Sequence, residues 1–191
     1  MSARHTLSVV LISLLGLFAT KAAYADDYKE ALKSFQSVDA TSPFFKNAYG
    51  YAIFPSIGKA GFVIGGAYGE GRVYKHGTWV GDTTMMQGTL GFQLGGQVFS
   101  EIIFFKNKDA YDDFTREGFE FGGEASVVAI TAGASASAGT TGAGTGASGG
   151  SNNATGKAEY YRGMATFTIA KGGLMYQATL GGQKFTFKPK K

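Results

Sequence analysis

The sequence predicts an α+β fold: a glycine-rich, twisted antiparallel sheet with an N-terminal helix and one short internal helix. Closure of that sheet into something barrel-like is left open. Three observations carry the reading. From Tyr49 to Phe105 the chain is a series of short apolar runs, rich in β-branched and aromatic residues, set between glycines. Such runs signal strands, and a glycine inside one marks a bulge, a bend or a close approach of another backbone. The chain then closes with alternating runs at 164–170, 174–180 and 183–187, separated by Gly172-Gly173 and Gly181-Gly182. These read as a meander. Helical spacing, by contrast, is confined to two places beyond the first 25 residues.

Those first residues read as an address. Arg4 and His5 give a short basic start, and Leu7 to Ala19 is apolar apart from two serines and a glycine. Ala23-Tyr24-Ala25 then places small residues where a signal peptidase reads. The expectation is a signal peptide over 1–25, cut after Ala25. The apolar run is shorter than the roughly 20 residues a membrane span needs. The remaining 166 residues, 26–191, suit one domain. There is no cysteine anywhere, which excludes disulfides, thiol chemistry and cysteine metal sites.

The whole chain carries 18 basic and 14 acidic side chains. Arg4 and Lys21 fall in the leader, leaving 16 against 14 and a net charge of +2. The charge is unevenly spread. Residues 101–124 are acid-rich, whereas Lys157, Arg162, Lys171, Lys184, Lys188, Lys190 and Lys191 face a single acid, Glu159, in the last third. A basic segment of this kind either is simply solvated or meets an anionic surface.

Taken in order, Asp26 to about Phe45 is expected to be helical, with Ser42 before Pro43 able to cap a second short turn that carries Phe44 and Phe45. Tyr28, Ala31, Leu32 and Phe35 share one face at i, i+3, i+4 and i+7. Packing of that face on the chain's own sheet is favoured over a membrane role, because the polar side mixes Asp27, Glu30 and Lys33. Val73 to Gly81 reads as a hairpin turning at His76-Gly77. His76 has no second histidine beyond the leader, so neither a triad nor a two-histidine metal site is expected. Asn107 to Arg116 is the clearest internal helix: Asn107 caps it, Asp109 sits in its first turn and Gly118 ends it. Gly122 to Gly139 suggests a tightly packed strand of small residues. The low-complexity stretch 140–156 is expected to be a flexible loop. Its Gly144-Thr145-Gly146-Ala147-Ser148-Gly149 matches a dinucleotide fingerprint in form only, with no strand-to-helix context.

At this point the order of motifs becomes recognisable. Gly-Tyr-Ala-Ile-Phe-Pro at 50–55, Gly-Lys-Ala-Gly-Phe at 58–62, Gly-Phe-Gln-Leu-Gly-Gly-Gln at 91–97, Ile-Ile-Phe-Phe at 102–105, Phe-Glu-Phe-Gly at 119–122 and Ala-Lys-Gly-Gly-Leu-Met-Tyr at 170–176 closely resemble the SYLF domain family. The resemblance runs from about Asp27 to Pro189. It implies lipid binding, in eukaryotic members preferentially to phosphoinositides, with actin binding in a yeast branch. This chain departs from the eukaryotic pattern in its signal-like leader and in lacking an SH3 partner domain. An exported protein, periplasmic or secreted, does not meet actin, so an anionic phospholipid or membrane surface is the partner expected.

The leading function is therefore a non-enzymatic, membrane-associated lipid-binding domain with no cofactor and no nucleic-acid partner. The headgroup residues expected are Lys59, Arg72, Lys171, Lys184 and Lys188, each beside a glycine, at a strand end or in the basic third. Lysine, arginine and backbone N–H groups at glycine turns would meet phosphate, with Phe44, Phe45 or Trp79 at the interface. The alternative is an exported structural or assembly protein of the cell envelope. A small outer-membrane barrel is a third reading, against which stand the continuous apolar runs at 62–64 and 102–105. An enzyme is not expected: no nucleophile elbow, Walker loop or metal spacing is present.

Overall fold

The computed structural model describes residues 26–61, 64–90, 97–121, 127–132, 152–155, 159–171 and 182–191. The expected leader over 1–25, most of the second glycine block, residues 122–126 and 133–139 of the expected small-residue strand, the middle strand of the expected closing meander, and residues 140–151 and 156 of the expected loop lie outside the described residues.

The N-terminal helix forms where its apolar spacing places it, as α1 over 26–36. It breaks before the second short turn expected at Pro43, which forms with Thr41, not Ser42, at its cap position. Thr41 donates its hydroxyl to the carbonyls of Phe35 and Val38, stopping α1 and holding a 3-10 turn at Asp39–Thr41. Pro43, tolerated in a first helical turn because that N–H has no partner there, then starts α2, Ser42–Asn47. Next come β1 (Gly50–Gly61), β2 (Ile64–Lys75), β3 (Thr78–Leu90) and β4 (Gln97–Phe105). The internal helix α3 follows at Lys108–Thr115, where the Asn107 side chain accepts the Ala110 N–H at 3.0 Å as the expected cap. Last are β5 (Val127–Ala132), β6 (Asn152–Thr155), β7 (Met164–Lys171) and β8 (Gln183–Pro189).

All eight strands join one sheet in the order β6-β5-β7-β4-β1-β2-β3-β8. The six strands from β7 to β8 are mutually antiparallel, and only β5 runs parallel to its neighbour, β7. The β2–β3 turn is the expected one: His76 and Gly77 both have positive φ, 47° and 78°, as a tight two-residue hairpin turn requires. Two expectations are refined. Residues 152–155, placed in the loop from composition, pair with β5 as β6, because backbone pairing needs no large side chains. The outer strands of the expected meander, β7 and β8, lie on opposite flanks of the six-strand unit.

A helix layer lies on each face. On one face α1 and α2 bury Ala31, Phe35, Val38 and Phe44 against Ile53, Ile102, Phe104 and Phe167. On the other, α3 buries Ala110 and Phe114 against Phe54, Ile103, Phe105 and Phe185. The Phe114 ring stands 4.9 Å from that of Phe105 on β4 and 5.1 Å from that of Phe185 on β8. Those strands are four steps apart, roughly 19 Å in a flat sheet. The sheet is therefore strongly curled around α3. It does not close into a barrel: among the described residues β6 and β8 do not pair, and β8 instead receives the segment 119–121 along its outer edge.

Candidate functional site

Cross-strand partners point to the same face, so the register assigns each cation to a side of the sheet. Lys171, Lys184 and Lys188 project from the convex, α1-bearing face and are exposed. Lys184 and Lys188 are two positions of β8, and Lys171 ends β7 on the far flank. Lys184 Nζ lies 3.4 Å from Glu120 Oε2 in an exposed pair, the kind that contributes little to stability.

The other two expected headgroup residues are engaged elsewhere. Lys59 lies on the concave face and is only 7% exposed; burial lowers its pKa below the usual lysine value. Its orientation follows from a bulge in β1. Register shifts against both neighbouring strands place one extra residue between Ile53 and Ile57. Ser100 Oγ donates to the Pro55 carbonyl at 2.7 Å and holds the bulge. Ile53 thus faces α1, while Ile57 and Lys59 turn to the other side. Arg72 is on the convex face but half-buried, its guanidinium 4.1 Å from the Tyr28 ring centroid and 4.2 Å from that of Trp79. It clamps α1 to the β2–β3 hairpin. The five residues therefore do not form one cluster; Lys171, Lys184 and Lys188 share an open face.

That face also carries a feature that composition hid. One row of cross-strand partners reads Lys171, Val98, Gly58, Tyr68, Met86, Lys184, from β7 through β4, β1, β2 and β3 to β8. Tyr68, Met86 and Val98 are 50%, 49% and 42% exposed, and they are the exposed large apolar side chains among the described residues. The sequence signal was their alternation with buried positions in β2, β3 and β4, which becomes informative only once the register is known. The aromatics expected at an interface are placed differently: Phe44 is buried, and Phe45 packs edge-on to Phe104 at 4.8 Å.

Among the described residues no group of three or more His, Cys, Asp or Glu side chains could hold a metal ion. Glu101, the one deeply buried carboxyl among the described residues, has its pKa pushed up to about 7 by burial, against the lowering effect of a hydrogen bond from Gln183. It is wholly inaccessible. His76 stacks edge-on to Tyr49 at 4.6 Å on the hairpin turn. No described helix is long and apolar enough to cross a membrane.

Comparison with known proteins agrees with the motif order. The chain is 27% identical over 155 residues to Beta cell expansion factor A of Aeromonas veronii, an alignment covering 81% of this chain and 51% of that protein. The chain thus spans about half the length of that curated relative. The model of the Ysc84 family, described as Las17-binding protein actin regulator, matches residues 86–190, from β3 through the buried core strands β4 and β7 to the last lysines of β8. With more than half its length matched, the chain belongs to the Ysc84 (SYLF) family, which is known for lipid- and actin-binding roles.

Proposed function

We propose that this protein is a non-enzymatic lipid-binding domain, exported and attached to anionic phospholipid surfaces. The observation that carries the reading is the exposure of Lys171, Lys184 and Lys188 on one face of the sheet, in a family known for lipid binding. Past the end of β8 the chain adds Lys190, whose ammonium stands 4.3 Å from the Trp79 ring centroid, and Lys191. Each lysine near an anionic membrane contributes about 1 kcal/mol, screened by salt. An actin role, named in the family description, fits an exported protein poorly; a lipid surface is met on either side of export.

The test is co-sedimentation of the purified protein with neutral and anionic vesicles at low and physiological salt. The expected result is retention on anionic vesicles that weakens as salt rises. Absence of binding to every vesicle would overturn the reading and leave envelope assembly as the function to pursue.

A further inference from the structure

We infer that the row Lys171–Val98–Gly58–Tyr68–Met86–Lys184 is the surface that lies on the bilayer, joining shallow apolar contact to lysine–phosphate pairing at both ends. This rests on the lipid-binding reading above and adds the place and the mode of contact.

The helices leave this row open. They cover the convex face over Ile53, Ile102, Phe104 and Phe167 and bury those side chains. Scattered exposed apolar residues are ordinary on a protein surface. Here Val98, Tyr68 and Met86 align in one cross-strand row. Gly58, between Val98 and Tyr68, has open space where a Cβ would stand, so no side chain interrupts the row.

Charge selects the occupant. Across the six strands from β7 to β8 the row has a lysine at each end, and Lys184 is flanked on its outer side by Glu120 of the segment 119–121. Glu70, two residues along β2 from Tyr68, accepts the Tyr68 hydroxyl at 3.2 Å. A bilayer interface offers an apolar layer beneath a plane of phosphates. Lysine stems reach along apolar surface while their ammonium groups stay with the phosphates, and a tyrosine ring suits the same boundary. From β7 to β8 the row crosses five strand spacings, a path of roughly 24 Å followed along the curled sheet, so its two ends would meet different headgroups.

The chain has no cysteine, so single cysteines can be placed at will. Val98→Cys and Met86→Cys, on the row, and Glu117→Cys and Thr78→Cys, away from it, would each carry an environment-sensitive fluorophore. The probes are vesicles of phosphatidylcholine alone and mixed with phosphatidylglycerol. The expected result is a blue shift at 98 and 86 on mixed vesicles, with none at 117 or 78. In parallel, Met86→Glu with Val98→Glu should weaken vesicle binding by roughly tenfold or more while leaving the thermal midpoint unchanged. Vesicle binding with silent labels at 86 and 98 would overturn the surface and leave the lipid reading intact. Binding to neither vesicle would remove both. If sizing shows a dimer that the double substitution dissolves while vesicle binding is unaffected, the row joins copies of the protein and the inference fails.

Discussion

Gln183 donates its side-chain N–H to Glu101 Oε2 at 3.3 Å, although three strands separate β4, which carries Glu101, from β8, which carries Gln183. The contact is made through the concave interior, beyond the end of the sheet that α3 fills. It is a polar strut across the curl. The second oxygen of Glu101 and the side-chain oxygen of Gln183 have no hydrogen-bond partner. A buried ionised carboxylate in that setting is costly, so the proton is retained: the pKa rises to about 7.

That shift has a definite sign in stability. An unfolded glutamate titrates near 4.5, so between there and about 7 the native state holds a proton that the unfolded state has lost. The native advantage is complete below pH 4.5 and is lost as pH rises through 7. Urea midpoints taken from pH 5 to pH 8 should show stability falling by about 3 kcal/mol from this group. Glu101→Gln, which keeps the shape without the charge, should remove that slope and be the more stable form at pH 8. Equal slopes in the two proteins would mean that Glu101 does not titrate in this window.

The glycines make a second, local prediction. A Cβ on Gly71 would stand 2.6 Å from the Phe54 ring and 2.9 Å from the Ile53 carbonyl oxygen. The Phe54 ring occupies the space that a side chain at 71 would need. Gly71→Ala should therefore cost about 1–3 kcal/mol through overpacking, read as a lowered thermal midpoint. Gly88, in β3, has nothing within 4 Å of its missing Cβ. Gly88→Ala should be neutral, or stabilise by about 0.4–1 kcal/mol, by restricting the unfolded chain. Similar losses at both positions would contradict the packing described for Phe54.

Arg72 separates a structural cation from a lipid-binding one. Its two ring contacts are each worth about 0.5–2 kcal/mol, according to how dry they are. Arg72→Ala should lower the unfolding midpoint measurably while leaving vesicle affinity close to that of the wild type. Tyr28→Ala should do the same, and the two losses should not add, because both break the clamp of α1 on the hairpin. A large loss of vesicle binding by a stably folded Arg72→Ala would return Arg72 to the headgroup residues.

Much of this fold was legible because its signals are local. The His76-Gly77 turn, the Asn107 cap and the apolar face of Tyr28, Ala31, Leu32 and Phe35 are each set within a few residues, and each is found. The neighbours of a strand are another matter. Nothing local says that β7 lies beside β4, some sixty residues earlier, or that β8 lies beside β3. Those pairings bring Val98 beside Lys171 and Met86 beside Lys184, so the open row could not be read from one dimension. The side taken by Lys59 was hidden for a smaller reason. Strand alternation from Ile53 puts it on the α1 face, and one extra residue at the bulge sends it to the other.

Lys59 therefore gives the sharpest contrast with Lys171 and Lys184. It is nearly buried on the concave face, where desolvation disfavours its charge. Lys59→Met keeps the aliphatic length and removes that cost, so it should raise stability at neutral pH and leave vesicle binding unchanged. The alkaline side supplies the check. With its native pKa lowered beneath 10.5, Lys59 releases its proton in the folded state first, and the unfolded chain binds more protons until 10.5 is passed. Wild-type stability should thus gain on the Lys59→Met variant as pH rises through that interval, the two curves drawing together. A constant gap would place the ammonium in water. Loss of vesicle binding by Lys59→Met would put this residue back on the lipid surface and require β1 to present it to the convex side.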